Sequence, residues 1–270
     1  TVFFTSDIDV KNDLMINEGF LQCGELADDS YTLELWGDLG GSPNSFIPHE
    51  GTVFFDQGTD NQITADMDFW NVQIAKFEFF ELGSVTLADG ISLDIGNNLS
   101  IIHGTLALGL NNTLDIGNNV NINGDAFLDA SSGTNSDITV SGNWYNQNST
   151  NDGTKGFSPG LTTVTFNGSS QQFIDSDAAN EFFNNLVINN SYWAALAVIS
   201  PLTCYGDLHI LDGAIGNNEP YYFHGDVIIE PDGVFIGTST ASFIGVNPAV
   251  YENNSSTASA VMAGVVPNQS

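Results

Sequence analysis

The hexapeptide Leu93-Asp94-Ile95-Gly96-Asn97-Asn98 recurs unchanged as Leu114-Asp115-Ile116-Gly117-Asn118-Asn119, 21 residues later. Apolar and polar residues alternate up to a Gly-Asn-Asn break, and a period near 20 of that kind is how one coil of a β-solenoid reads as sequence. The match continues beyond the hexapeptide, with Leu99-Ser100-Ile101 answering Val120-Asn121-Ile122 in the order of a half-buried strand. Stacking the coils predicts Leu93 on Leu114 and Ile95 on Ile116 inside. Asn97 on Asn118 and Asn98 on Asn119 then form a corner ladder of side-chain amides. Gly96 and Gly117 are expected to supply positive φ at that corner. Ala214-Ile215-Gly216-Asn217-Asn218 is a weaker third copy. Gly followed by Asp or Asn and an apolar residue recurs at Gly37-Asp38-Leu39, Gly142-Asn143-Trp144, Gly206-Asp207-Leu208 and Gly225-Asp226-Val227, the last two 19 residues apart. The fold expected is all-β, a parallel β-solenoid of the right-handed β-helix type with coils of about 19–22 residues.

A longer period overlies the short one. Thr52-Val53-Phe54-Phe55, Gln62-Ile63 and Phe69-Trp70-Asn71-Val72-Gln73-Ile74 resemble Thr163-Val164-Thr165-Phe166, Gln172-Phe173-Ile174 and Phe182-Phe183-Asn184-Asn185-Leu186-Val187-Ile188, offset by 111 residues at the first anchor. Thr1-Val2-Phe3-Phe4 repeats the opening tetrapeptide. This divides a single solenoid, residues 1–252, into diverged repeats over 1–51, 52–162 and 163–252. Residues 253–270 read as a polar linker with a short apolar strand. Loops are expected at Gly40 to Asn44, Gln147 to Gly160 and Asp175 to Glu181, where turn formers cluster.

Phe, Ile, Val and Thr punctuated by Asn and Gly is a strand composition, and no stretch keeps a 3.6-residue period. Against 33 acidic residues stand Lys11, Lys76 and Lys155 and no arginine, a formal charge of −30. Such a surface repels nucleic acid and anionic membranes, which are both held through Lys and Arg, and it attracts cations. The acidic residues are dispersed between strands, as on a solvated surface. No run approaches the ~18 apolar residues of a membrane span, so no membrane insertion is expected. A chain opening on Thr without a basic, apolar leader reads as a secreted mature product located outside the cell or at its surface. Cys23 and Cys204 are too few for a disulfide framework, sit in similar local contexts, and are expected to be buried free thiols.

A solenoid's terminal coils expose unpaired strand edges and an apolar cross-section. Neither end carries an amphipathic helix to cover them. Val2, Phe3 and Phe4 at one end, and Val261, Met262, Val265 and Val266 at the other, are therefore the candidate subunit contacts of a head-to-tail homopolymer. The competing arrangement folds the tail back over its own last coil.

The order of motifs from Gly142-Asn143-Trp144 through Phe157-Ser158-Pro159-Gly160, Thr163-Val164-Thr165-Phe166-Asn167-Gly168 and Phe182-Phe183-Asn184-Asn185-Leu186-Val187-Ile188 resembles repeats in large secreted, surface-anchored adhesin-like β-solenoid proteins of Bacteroidota. The later Ser200-Pro201-Leu202-Thr203-Cys204-Tyr205-Gly206-Asp207-Leu208 is similar to their following rung. The resemblance covers residues from about 140 to 230, with a looser copy over 30–76. It implies a parallel β-solenoid outside the cell with a structural or adhesive role.

Enzymatic readings find few residues to carry them. Lyases acting on acidic sugars need Lys or Arg against the uronate carboxylate, and three scattered lysines do not supply that. Asp66 with Asp68, or Asp175 with Asp177, has the spacing of a hydrolase pair, although such pairs arise by composition in an acidic chain. His49, His103, His209 and His224 share no spacing. No cofactor is required; calcium is the ligand that the oxygen donors suit, at Asp175, Asp177 and Glu181, with Asn148, Asn151 and Asp152 crowding a second loop. Among the Asn-x-Ser/Thr sequons, Asn148 and Asn253 are the glycosylation candidates. The reading that results is an extracellular, non-enzymatic, self-associating subunit of a surface filament or adhesin stalk. The alternative is a carbohydrate-binding or carbohydrate-cleaving β-helix presenting Trp144, Tyr145, Tyr192 and Trp193 to surface glycans.

Overall fold

Leu93 pairs with Leu114 and Ile95 with Ile116 in a parallel ladder, as the repeated hexapeptide predicts. The same relation holds along the whole chain in the computed structural model, which describes residues 1–57, 60–78, 81–149, 153–192, 196–217, 219–237, 240–245, 250–254 and 265–266. Among the described residues there is no helix, and every ladder is parallel except a small hairpin of Phe77–Glu78 with Glu81–Leu82. The protein is a β-solenoid of about ten turns.

Each turn contributes three strands to three faces. The first face begins with Val2–Phe4 on Leu21–Cys23 and continues through Ser92–Ile95, Thr113–Ile116, Asp137–Val140 and Thr163–Phe166. The second begins with Ile8–Val10 on Thr32–Leu35, then Thr52–Asp56 and Asn71–Ala75. The third begins with Leu14–Ile16 on Leu39–Gly41 and ends in Tyr221–Phe223, Ala241–Phe243 and Val265–Val266. Leu99–Ala107 and Val120–Asp129 run through the corner between the second and third faces without interruption. Turn length varies more than the repeats suggest, from 19 residues (Leu208 to Val227) to 30 (Trp144 to Ile174). The surplus is spent at corners, the 27-residue turn from Val72 to Leu99 carrying the hairpin at Phe77 to Leu82, because strand register constrains only the flat faces.

Alternation places one set of side chains in the interior on every strand. Leu93, Leu114, Ile138, Val164, Leu186 and Leu208 form one buried column, and Ile95, Ile116, Val140, Phe166, Ile188 and Ile210 the column beside it. Each such aliphatic side chain withdrawn from water contributes about 1.5–3 kcal/mol, so the core is a continuous rod. Trp144, fully buried, packs against Phe157 (centroids 4.9 Å apart) and Phe183 (5.4 Å) near the middle of the stack.

The predicted amide ladder is present. Asn118 Nδ2 donates to Asn97 Oδ1 at 2.9 Å and Asn119 Nδ2 to Asn98 Oδ1 at 3.2 Å. Gly96 and Gly117, however, do not take the positive φ expected of them. Glycine is needed there for closeness: a Cβ on Gly117 would lie 2.3 Å from the Gly96 carbonyl oxygen of the turn before. The same reason explains the Gly-Asx-apolar signature. Gly225 rests on the Gly206 carbonyl, where a Cβ would come within 2.3 Å; Asp226 faces the next turn; Val227 continues the interior column from Leu208.

The 111-residue repeat is rotated. Thr52–Phe55 lies on the second face and Thr163–Phe166 on the first, while Gln62-Ile63 lies on the third and Gln172–Ile174 on the second. Cys23 and Cys204 are displaced in the same sense, from the first face to the third. The copies keep their strand and corner order, but each sits one face out of phase with the other.

Candidate functional site

The first turn has a side with no strand against it among the described residues. Val2–Phe4 pairs with Leu21–Cys23 and on that side only. Phe4 faces inward and is buried, so Val2, two residues earlier, belongs to the same inward column, yet it is 69% exposed. Phe3 (46%), Met15 and Phe20 are exposed around it, and the core-facing Ile8, Val10 and Leu14 are only partly covered. The result is an apolar cross-section bordered by unpaired backbone groups.

The other end differs from the simplest expectation. Val265–Val266 forms a parallel strand on Ala241–Ser242 of the same chain, so one edge of that segment is used internally, as in the fold-back arrangement. Val261 and Met262 lie outside the described residues. Tyr251–Asn253 adds to Val227–Ile229 on the first face and is exposed.

Asp175, Asp177 and Glu181 are not brought together as a calcium site. Asp175 lies beside Tyr145 on the outer side of its strand, and Asp177 is exposed. Glu181 shares the inward side with Phe183 and is fully buried, accepting hydrogen bonds from Trp144 Nε1 (3.0 Å) and Asn146 Nδ2 (2.9 Å). Burial pushes its carboxyl up to about 7, against the lowering effect of the hydrogen bonds from Ser176, Asn146 and Trp144. Among the described residues no group of three or more His, Cys, Asp or Glu is arranged to hold a metal ion. The period-2 pattern of Glu181-Phe182-Phe183 is the sequence signal that places Glu181 inside.

Other candidates move as well. Asn148 is buried and its Nδ2 donates to the Gly124 carbonyl at 2.6 Å, which leaves no room for a glycan on that nitrogen. Asn253 is exposed, with its amide near the Tyr251 hydroxyl. Trp144 is interior and cannot meet a sugar; Tyr145 is half-buried, Tyr192 is exposed, and Asn151, Asp152 and Trp193 lie outside the described residues. Asp66 accepts the Ser92 backbone N–H at 2.7 Å, while Asp68 stacks on Asp94 along the outer first face. Both cysteines are buried free thiols, and burial pushes Cys204 up to about 12.

The corner carboxylates are what the sequence reading missed. Asp207 Oδ1 accepts the Asp226 N–H and Asp226 Oδ1 the Val250 N–H, both at 2.8 Å, and Asn185 Oδ1 accepts the Asp207 N–H below them at 3.0 Å. A second staircase runs Asn98, Asn119, Asn143, each accepting from the following turn at 2.8–3.1 Å. Many acidic residues thus fasten successive turns by charge-assisted hydrogen bonds rather than only facing solvent. Asp68, Asp94 and Asp115 do line up outward in register, and the carboxyls of Asp68 and Asp115 are raised by desolvation first and then by Asp94.

An outer row on the third face joins Phe182, Tyr205 and His224. Phe182 and Tyr205 stack nearly parallel at 5.7 Å and 13°, and Tyr205 meets His224 at 5.1 Å. The class defined by these features is a three-faced parallel β-solenoid. The chain matches no family model, no curated protein and no solved structure.

Proposed function

We propose that this is an extracellular, non-enzymatic structural protein, a subunit that associates end to end through its first-turn edge into a surface filament or adhesin stalk. The observation that carries the reading is Val2: an interior-column residue left exposed, beside Phe3, on a strand with one free edge. A further β-layer laid on that edge would pair its backbone groups and cover Val2, Ile8, Val10 and Leu14 together. A second copy supplies such a layer at its far end in the outer edges of Tyr251–Asn253 and Val265–Val266. The motif order resembles that of adhesin-like proteins of Bacteroidota, and that resemblance agrees with this role. With a charge of −30 on each copy, added salt strengthens the contact by screening. Calcium enters as a counter-ion to that surface and not through Asp175, Asp177 and Glu181.

Analytical ultracentrifugation of the full chain across salt concentrations tests this. Association that grows with salt and is lost in Val2→Asp supports the reading; a monomer at every concentration and salt overturns it. The second reading, a carbohydrate-binding module, draws on the Phe182, Tyr205 and His224 row, in which Phe182 and Tyr205 stack nearly parallel and His224 is tilted by 46° to Tyr205. Glycan binding that survives Val2→Asp but not Tyr205→Ala would favour it.

A further inference from the structure

Lys76 is the exception among three lysines. Lys11 and Lys155 are exposed and paired with Asp9 and Asp125, whereas Lys76 is fully buried. It sits where the chain leaves the second face, its backbone held by Lys76 N–H to the His103 carbonyl (3.0 Å) and Gly83 N–H to the Lys76 carbonyl (3.2 Å). Its Nζ donates to the Asp56 carbonyl at 2.7 Å and to Asn61 Oδ1. Asn61, one turn earlier on the third face, is buried too, and its Nδ2 donates to the Trp36 carbonyl at 2.8 Å, which fixes the carboxamide plane. Among the described residues no carboxylate forms an ion pair with the Lys76 ammonium. The carboxylates of Asp56, Asp60 and Asp38 act on it from further away, and they are engaged by Gln57, by Ser84 and by the Gln62 N–H.

We propose that Lys76 and Asn61 are joined after folding by an isopeptide bond between Lys76 Nζ and Asn61 Cγ, with release of ammonia. An amine and a carboxamide held in contact inside a folded chain react as one molecule, with the encounter entropy already spent, and the buried corner keeps out competing water. Burial lowers the Lys76 ammonium to about 8, so neutral amine is available near neutral pH. The lone pair of that amine forms the new bond to Asn61 Cγ. The bond from Cγ to Nδ2 breaks, one proton from Nζ passes to Nδ2, and Nδ2 leaves as ammonia. No oxidant or cofactor is needed. A buried charge is thereby replaced by a neutral amide, and two consecutive turns become covalently joined at one corner.

The test is the intact mass of the purified full chain, followed by peptide mapping with a protease that does not depend on lysine. The expected mass is one ammonia below that of the sequence, with a branched peptide uniting the Asn61 and Lys76 segments. Lys76→Met and Asn61→Ala should each restore the full sequence mass. A folded chain at full sequence mass overturns the proposal without recourse to any variant. So does an ammonia deficit that maps to a linear peptide, since a cyclic imide at an asparagine produces the same loss.

Discussion

Replacing Glu181 by Gln should remove most of one component of the pH dependence of stability. Glu181 is fully buried, accepts from Trp144 and Asn146, and has its carboxyl raised from 4.5 to about 7, chiefly by burial. Between those two values the unfolded chain has released this proton and the folded chain has kept it, so stability falls as pH rises. The contribution is whole below the unfolded value and is lost as pH rises through the folded one. About 1.4 kcal/mol per pH unit over that window amounts to roughly 3 kcal/mol. Because the group is fully buried, solvent screening takes little from this figure. The assay is urea unfolding followed by far-UV circular dichroism at about pH 5 and about pH 8. Self-repulsion of the other carboxylates adds its own slope to both proteins, so the quantity compared is the difference in slope. Glu181→Gln should lose roughly 3 kcal/mol less across the interval than the native chain, on top of a constant offset from turning an amide toward Asn146. Equal slopes in the two proteins would refute the assignment of the proton to Glu181.

Gly117→Ala brings a methyl to within 2.3 Å of the Gly96 carbonyl oxygen, a backbone atom with no room to give, and should cost about 1–3 kcal/mol in urea unfolding. Asp94→Asn removes the like charge between Asp68 and Asp115, so both carboxyls should titrate lower by NMR while staying above the ordinary range, desolvation being the larger cause. Cys204, pushed up to about 12 in the core, should stay inert to a small disulfide reagent in the native protein and react once it is unfolded. Phe183→Ala, which empties the centre of the Trp144–Phe157–Phe183 cluster, should cost about 3–5 kcal/mol by the same unfolding assay.

The stacking axis was legible because Leu93 to Asn98 and Leu114 to Asn119 are identical, and identical residues at one coil spacing form ladders on any solenoid. The 111-residue period gave a true internal likeness but not its placement: a repeat that spans a whole number of strands without spanning a whole number of turns returns on another face, as Val53 and Val164 do. Loop composition misled at Asp175 to Glu181, where acidic residues cluster as they would around calcium. The strand alternation of Glu181 with Phe183 decides the direction of the side chain, and it points inward. Charge counting could not separate solvated carboxylates from those of Asp38, Asp207 and Asp226. Their role depends on a backbone N–H one turn away, 19–24 residues along the chain. Lys76 gave no local signal of burial, since its partner Asn61 comes from the preceding turn.

Electron microscopy of the negatively stained full chain tests end-to-end assembly most directly. About ten turns spaced near 4.8 Å give a subunit roughly 50 Å long. Filaments with an axial repeat of that size, absent in Val2→Asp, are the predicted result; isolated rods of single-subunit length in the native chain at high salt would contradict it.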